Sequence, residues 1–218
     1  MAYKKHRWIV PENQPLTAFD EKVLSFQKKG CLVPNRNLIR TPEEMDGIRK
    51  AGKLNTAVLD LVQENIRVGM STLEIDNLVA DFKEKNGGIC APLNYEGFPK
   101  HCCTSINEVV CHGIPKEEDI LEEGDIVNVD VTTILNGHYA DANRTFIVGG
   151  KTTPEKEKLV RVAKECLEAG IEAAKPWGFI NDIGDVIQTI CDKHHYGIVQ
   201  DLCGHGVGLK FHEEPEVC

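Results

Sequence analysis

The sequence predicts a mixed α/β (α+β) fold built as two related halves, and two observations carry that expectation. The first is a run of alternating, largely β-branched residues, Ile126-Val127-Asn128-Val129-Asp130-Val131-Thr132-Thr133, followed by Asn136-Gly137. That pairing of a period-two run with an Asn-Gly dipeptide is the strongest short-range signal for an antiparallel hairpin. The second is a capped helix pair written twice. Thr41-Pro42-Glu43 and Thr153-Pro154-Glu155 each open a long helical pattern, a glycine turn, a shorter helical pattern and a glycine stop, at a period a little over one hundred residues. Helix pairs are common, so coincidence is the alternative to a true repeat.

Taken in order, residues 1–40 hold Pro11, Pro15 and Pro34 and show no sustained periodicity beyond a short helix from Thr17 to Lys29. They read as an extension that packs on, or trails from, the main domain. At Thr41 the pattern changes: Thr as N-cap, Pro at the first helical position and Glu44 three residues after the cap form a capping box. Met45, Ile48, Leu54, Val58, Leu59 and Val62 follow at helical spacing. Ser71-Thr72-Leu73-Glu74 is a second box, opening a helix with Ile75, Leu78, Val79 and Phe82 that stops at Gly87-Gly88.

Ala91 to Pro99 and Thr104 to Pro115 concentrate proline, glycine and aromatic residues. Such stretches are either ordered loops around an apolar pocket or surface loops with aromatic anchors. Within them His112 sits between a β-rich run and Gly113, a place where a histidine is more often structural than catalytic. In the hairpin, Asn136 and Gly137 as the two loop residues set Leu135 against His138, Thr132 against Asp141 and Asp130 against Asn143. Asp130 and Asp141 then share a face as a diagonal pair with Cα atoms roughly 7–8 Å apart. Two facing anions repel, and divalent cations would neutralise them; a solvated polar face over packed valines is the alternative.

The second helix pair carries Leu159, Val162, Ala163, Cys166 and Ile171 up to Pro176, then Ile183, Val186, Ile187 and Ile190 from about Asp182 to Gly197. Last comes Gly204-His205-Gly206-Val207-Gly208-Leu209-Lys210-Phe211-His212-Glu213-Glu214-Pro215. Glycines on both sides of His205 let backbone or ligand approach closely, and neutral imidazole is the commonest metal ligand.

Bulk properties bound the rest. At 218 residues, 41% hydrophobic and 27% charged, the chain is ordinary globular material with enough length for a sizeable core. A formal charge of -9 argues against a general nucleic-acid or membrane-surface binder. No apolar run approaches membrane-spanning length and no apolar segment follows the basic start, so export and insertion are not expected. The nine cysteines are scattered without Cys-x-x-Cys spacing, which suits reduced thiols in the cytosol. Cys102, Cys103 and Cys111 read as packing residues.

From about residue 41 to its end, the chain resembles the type I methionine aminopeptidases of the pita-bread metallopeptidases. The resemblance is carried by Cys111-His112-Gly113-Ile114-Pro115, by Asp130 with Asp141, by Gly204-His205-Gly206-Val207-Gly208 and by Phe211-His212-Glu213-Glu214-Pro215. It implies a pita-bread fold of two pseudo-symmetric halves, with residues 41–150 as the first, 151–218 as the start of the second and 1–40 as an N-terminal extension. It also implies two divalent ions (Co, Mn, Fe, Zn or Ni), one bound by Asp130, both bridged by Asp141, the other bound by His205. His112 and His212 would act on substrate, and Pro92, Tyr95, Phe98 and Phe211 would form the methionine pocket. The implied activity is removal of N-terminal methionine from nascent chains when the second residue is small, by dinuclear-metal-activated water. The enzyme would be a cytoplasmic monomer that meets nascent N-termini and the ribosome, with no nucleic-acid or membrane motif. Two further glutamate ligands of the family are expected beyond Cys218, so these 218 residues are expected to turn over poorly. The other readings are a non-catalytic pita-bread module that binds peptides or a ribosomal surface, and a prolidase-like aminopeptidase.

Overall fold

The computed structural model describes residues 6–217. Among the described residues, five α-helices and six strands order as α1 (Ala18–Lys28), α2 (Pro42–Asn65), α3 (Thr72–Lys85), β1 (Ile89–Cys90), β2 (Cys103–Ile106), β3 (Ile126–Leu135), β4 (His138–Ile147), α4 (Pro154–Ala173), α5 (Asn181–His194), β5 (Gly204–Gly206) and β6 (Glu213–Val217).

The hairpin forms with the register read from its turn: Leu135 opposes His138, Thr132 opposes Asp141 and Asp130 opposes Asn143. Asn136 and Gly137 take φ of 49° and 79°, the two positive values that a two-residue turn matching strand twist requires. Alternation then sorts the side chains. Val127, Val129 and Val131 are fully buried against Val58, Leu59 and Val62 of α2 and Ile75 and Val79 of α3. Asn128, Asp130 and Thr132 face the other way. Each buried valine stabilises by about 1.5–3 kcal/mol, so a one-residue slip that turned three of them outward would be prohibitive.

β3 is the spine of its sheet. β4 covers one edge, while the other is shared by β2, opposite residues 127–130, and by β1, opposite 133 and 134. Between these two short strands Lys83 reaches in from α3 and its ammonium donates to the Thr132 carbonyl at 3.0 Å. Lys83 is wholly buried, and burial holds its ammonium below the usual lysine range, with Asp141 and Asp130 among the charges that pull it back up. Ala91 N–H also donates to the Thr132 carbonyl, so that oxygen keeps a partner if the lysine is removed.

Lys83→Met is therefore expected to stabilise the chain by about 1–2 kcal/mol at pH 7, because a buried charge is exchanged for an apolar side chain of similar length. The folded-state pKa lies below the unfolded one, so between the two the unfolded chain binds more protons and wild-type stability rises with pH. The advantage of Lys83→Met should shrink from pH 7 towards pH 10 in parallel denaturant titrations. A constant difference would show that folding does not shift the Lys83 pKa.

The helix starts follow their caps. Thr17, Thr41 and Ser71 each accept from the N3 backbone while the N3 side chain returns a bond to the cap. At Thr153 the third helical position is Lys156, so α4 has its side-chain cap without the reciprocal bond. α4 ends at Ala173, ahead of Pro176. α5 ends at His194, before Gly197, with His195 in the left-handed conformation. α4 and α5 pack through Val162, Cys166 and Cys191. Met45, expected on the buried stripe of α2, lies outside it, while Ala51 and Asn55 lie within.

Residues 6–40 pack rather than trail. Trp8, Val23 and Val33 make a small core of their own, and the Trp8 indole donates to buried Asp20 at 2.8 Å. Cys102 and Cys103 are packing residues as expected, but Cys111 is exposed on the loop between β2 and β3.

Candidate active site

Asp130 and Asp141 meet on the outer face of the hairpin. Thr132, directly opposite Asp141, donates its hydroxyl to one Asp141 oxygen at 2.7 Å. The Asp130 carboxyl is pushed up to about 7, first by burial, then by the negative charge of Asp141, with a bond to Asp141 favouring the protonated form. His205 and Lys83 act in the opposite direction and do not offset it.

His205 arrives on β5, which pairs with β6. Gly206 allows this ribbon to close, since a Cβ there would stand 2.3 Å from the Glu214 carbonyl oxygen. The His205 Nδ1–H donates to the Gly206 carbonyl at 2.9 Å, because that oxygen can only accept. Nε2 is thus turned to the second Asp141 oxygen, 3.5 Å away.

Among the described residues, no three His, Cys, Asp or Glu side chains gather tightly enough to hold a metal ion as they stand. The chemistry of the donor set nevertheless fits one: two hard carboxylates and an imidazole nitrogen, short of positive charge.

His212 lies beside this group, its ring centroid 4.2 Å from that of His205. Its Nδ1 is 2.8 Å from the Tyr95 hydroxyl, and Phe211 stacks on its ring at 4.3 Å. Burial, then the neighbouring His205, hold the imidazole below its usual value, so it is neutral at pH 7. Tyr95 and Phe211 also touch, at 4.7 Å between centroids. A cleft of about 290 Å³ opens here, lined by Ala91, Tyr95, Ile134, Tyr139, Phe211 and His212, with Lys210 at its rim.

Of the residues expected at a methionine pocket, Tyr95 and Phe211 line this cleft and Pro92 and Phe98 do not. Pro92 is buried and accepts from Tyr95 N–H at 2.9 Å, and Phe98 closes the same tight turn, so both shape the loop that carries Tyr95. His112 is exposed within the β2–β3 loop, at φ 54°, close enough to bear on His212 electrostatically.

Sequence reasoning missed Tyr139 and Lys83, although signals for both were present. Tyr139 precedes Asp141 by two on the same strand face, and Lys83 follows Ile75 and Val79 at helical spacing on the buried face of α3.

The match to known proteins agrees with this arrangement. Residues 46–218 match the model of metallopeptidase family M24. The chain belongs to that family. This M24 chain is 47% identical over 174 residues to methionine aminopeptidase A of Synechocystis sp., covering 80% of its own length and 68% of that relative. It is 43% identical over 180 residues to the methionine aminopeptidase of Haemophilus influenzae, covering 82% and 67%. The crystal structure of methionine aminopeptidase from Rickettsia prowazekii superposes with a TM-score of 0.79 at 41% identity, over 82% of this chain and 71% of that one. The fold is therefore the pita-bread fold. Among the described residues, no helix is long and apolar enough to cross a membrane.

Proposed function

We propose that this M24 chain removes N-terminal methionine from polypeptides whose second residue is small, with divalent metal held by Asp130, Asp141 and His205. The observation that carries the reading is the placement of two carboxylates and an imidazole beside an aromatic cleft of side-chain size. Dependence on divalent metal follows from membership of a metallopeptidase family. Two divalent ions are proposed (Co, Mn, Fe, Zn or Ni), which Asp130, Asp141 and His205 would hold. When bound, such ions would lower the pKa of water towards neutrality and polarise the scissile carbonyl.

The side chains supply the rest. Thr132 orients the Asp141 carboxylate, and the Gly206 carbonyl fixes the His205 tautomer so that Nε2 faces the site. With the Tyr95 hydroxyl donating to Nδ1, His212 keeps its proton on Nε2 and offers it to the substrate oxygen as charge develops there. His112 would act near the scissile amide nitrogen. Tyr95 and Phe211 present ring edges and faces to a thioether, which favours methionine over a branched aliphatic side chain. The substrates are nascent N-termini, met at the ribosome, with a monomeric enzyme in the cytoplasm.

Calorimetric titration with Mn²⁺ or Co²⁺, followed by assay of a Met-Gly peptide against an Xaa-Pro peptide, tests the reading. Saturable metal uptake and release of methionine, abolished by chelator and restored by metal, are expected. Methionine should remain the residue released. Absence of metal uptake, or preference for Xaa-Pro, would overturn it.

A further inference from the structure

The β5–β6 ribbon carries His205 on its first strand and His212 immediately before its second, yet it forms a sheet separate from the one that carries Asp130 and Asp141. Tethers must therefore set its position over the hairpin. One runs from the hairpin itself, where Tyr139 N–H donates to the Gly208 carbonyl at 2.7 Å. Two others come from residues 6–40 and end on the residues directly after His212. Arg40 meets Glu213 at 2.5 Å, with 13% and 11% of the two side chains exposed, and His6 lies 2.7 Å from the Glu214 carboxylate.

Arg40 is itself braced. Its guanidinium also donates to the Asn37 carbonyl at 2.9 Å, one turn before the α2 N-cap, and nearby Arg36 lies 3.7 Å from buried Asp20 of α1. The residue after the contact, Thr41, is thus the N-cap of α2, and α2 packs on both β3 and β4.

We infer that the N-terminal segment is a strut for the site, and that Arg40, acting through Glu213, is a positioning residue for His212. The inference rests on the functional reading only for which reaction is affected; the strut itself is a matter of geometry. A largely buried ion pair gives one fixed arrangement, because breaking it leaves a charge without solvent or partner. Misplacement of a substrate-binding group by about 1 Å can lower turnover by roughly 10²-fold.

The test is amide hydrogen exchange and steady-state kinetics on the whole chain carrying Arg40→Met, Glu213→Gln, the double variant, and Arg40→Lys. Arg40→Met and Glu213→Gln should each speed exchange in residues 204–217 by about tenfold or more, with β3 and β4 unchanged. Turnover should fall by about 10- to 100-fold with a smaller change in KM, and Arg40→Lys should recover part of both. The double variant leaves no orphaned charge, and it should match the single variants rather than add to them. Faster ribbon exchange in a chain that releases no methionine would keep the strut and reject the reaction. Unchanged ribbon exchange in both single variants would overturn the inference, as would a rise spread equally over β3 and β4.

Discussion

Replacing Asp141 with alanine is expected to abolish metal uptake and to lower methionine release by at least about 10³-fold, the upper range for loss of one preorganised polar group. The carboxylate is held by Thr132, faces His205 and raises Asp130, so its removal disconnects three partners at once. A second readout needs no metal. With Asp141 gone, the Asp130 carboxyl should fall below about 7 while burial still holds it above its usual value, followed by carboxyl carbon NMR.

The sign of the pH effect follows from the same shift. The folded pKa of Asp130 is above the unfolded one, so between about pH 4 and 7 the folded chain binds more protons. Metal-free stability should therefore fall as pH rises through that window, by on the order of 4 kcal/mol. Asp130→Asn should remove this slope while leaving the contribution of the other carboxylates. An unchanged slope, or metal uptake by Asp141→Ala equal to wild type, would remove the pair from the site.

His212→Ala is expected to lower turnover by about 10²–10³-fold with little change in metal affinity. The ring touches Tyr95, Phe211 and His205, and Asp141 keeps its bond from Thr132 without it. Because the imidazole is neutral at pH 7, it acts as a hydrogen-bond donor rather than as a fixed charge. His212→Gln keeps a donor and should recover part of the rate. Equal loss in both variants would mean that the ring serves only to pack Phe211, and intact turnover in His212→Ala would end its assignment.

The hairpin was the most legible part of the chain. Its two-residue turn and strict alternation leave one register, so the Thr132 to Asp141 pairing could be written down without coordinates. Helix starts were legible for a similar reason: a cap is a local bond between residues three apart. Helix ends were less so. α5 stops at His194, where a non-glycine residue takes the left-handed conformation that glycine usually marks. The pocket was half legible, since Pro92, Tyr95 and Phe98 are neighbours in sequence and yet tight backbone bonds within their loop turn only Tyr95 into the cleft.

Local chemistry determined the strand register, the helix caps and the face shared by two acids, because each depends on residues a few positions apart whose geometry the backbone dictates. Tertiary structure alone decided that Tyr95 meets His212 across 117 positions and that Arg40 meets Glu213 across 173. It also decided that Lys83 fills the gap between β1 and β2. Such contacts form only where packing of the valine face against α2 and α3 has already offset the loss of chain entropy, and no periodicity in the sequence encodes which distant partner is reached.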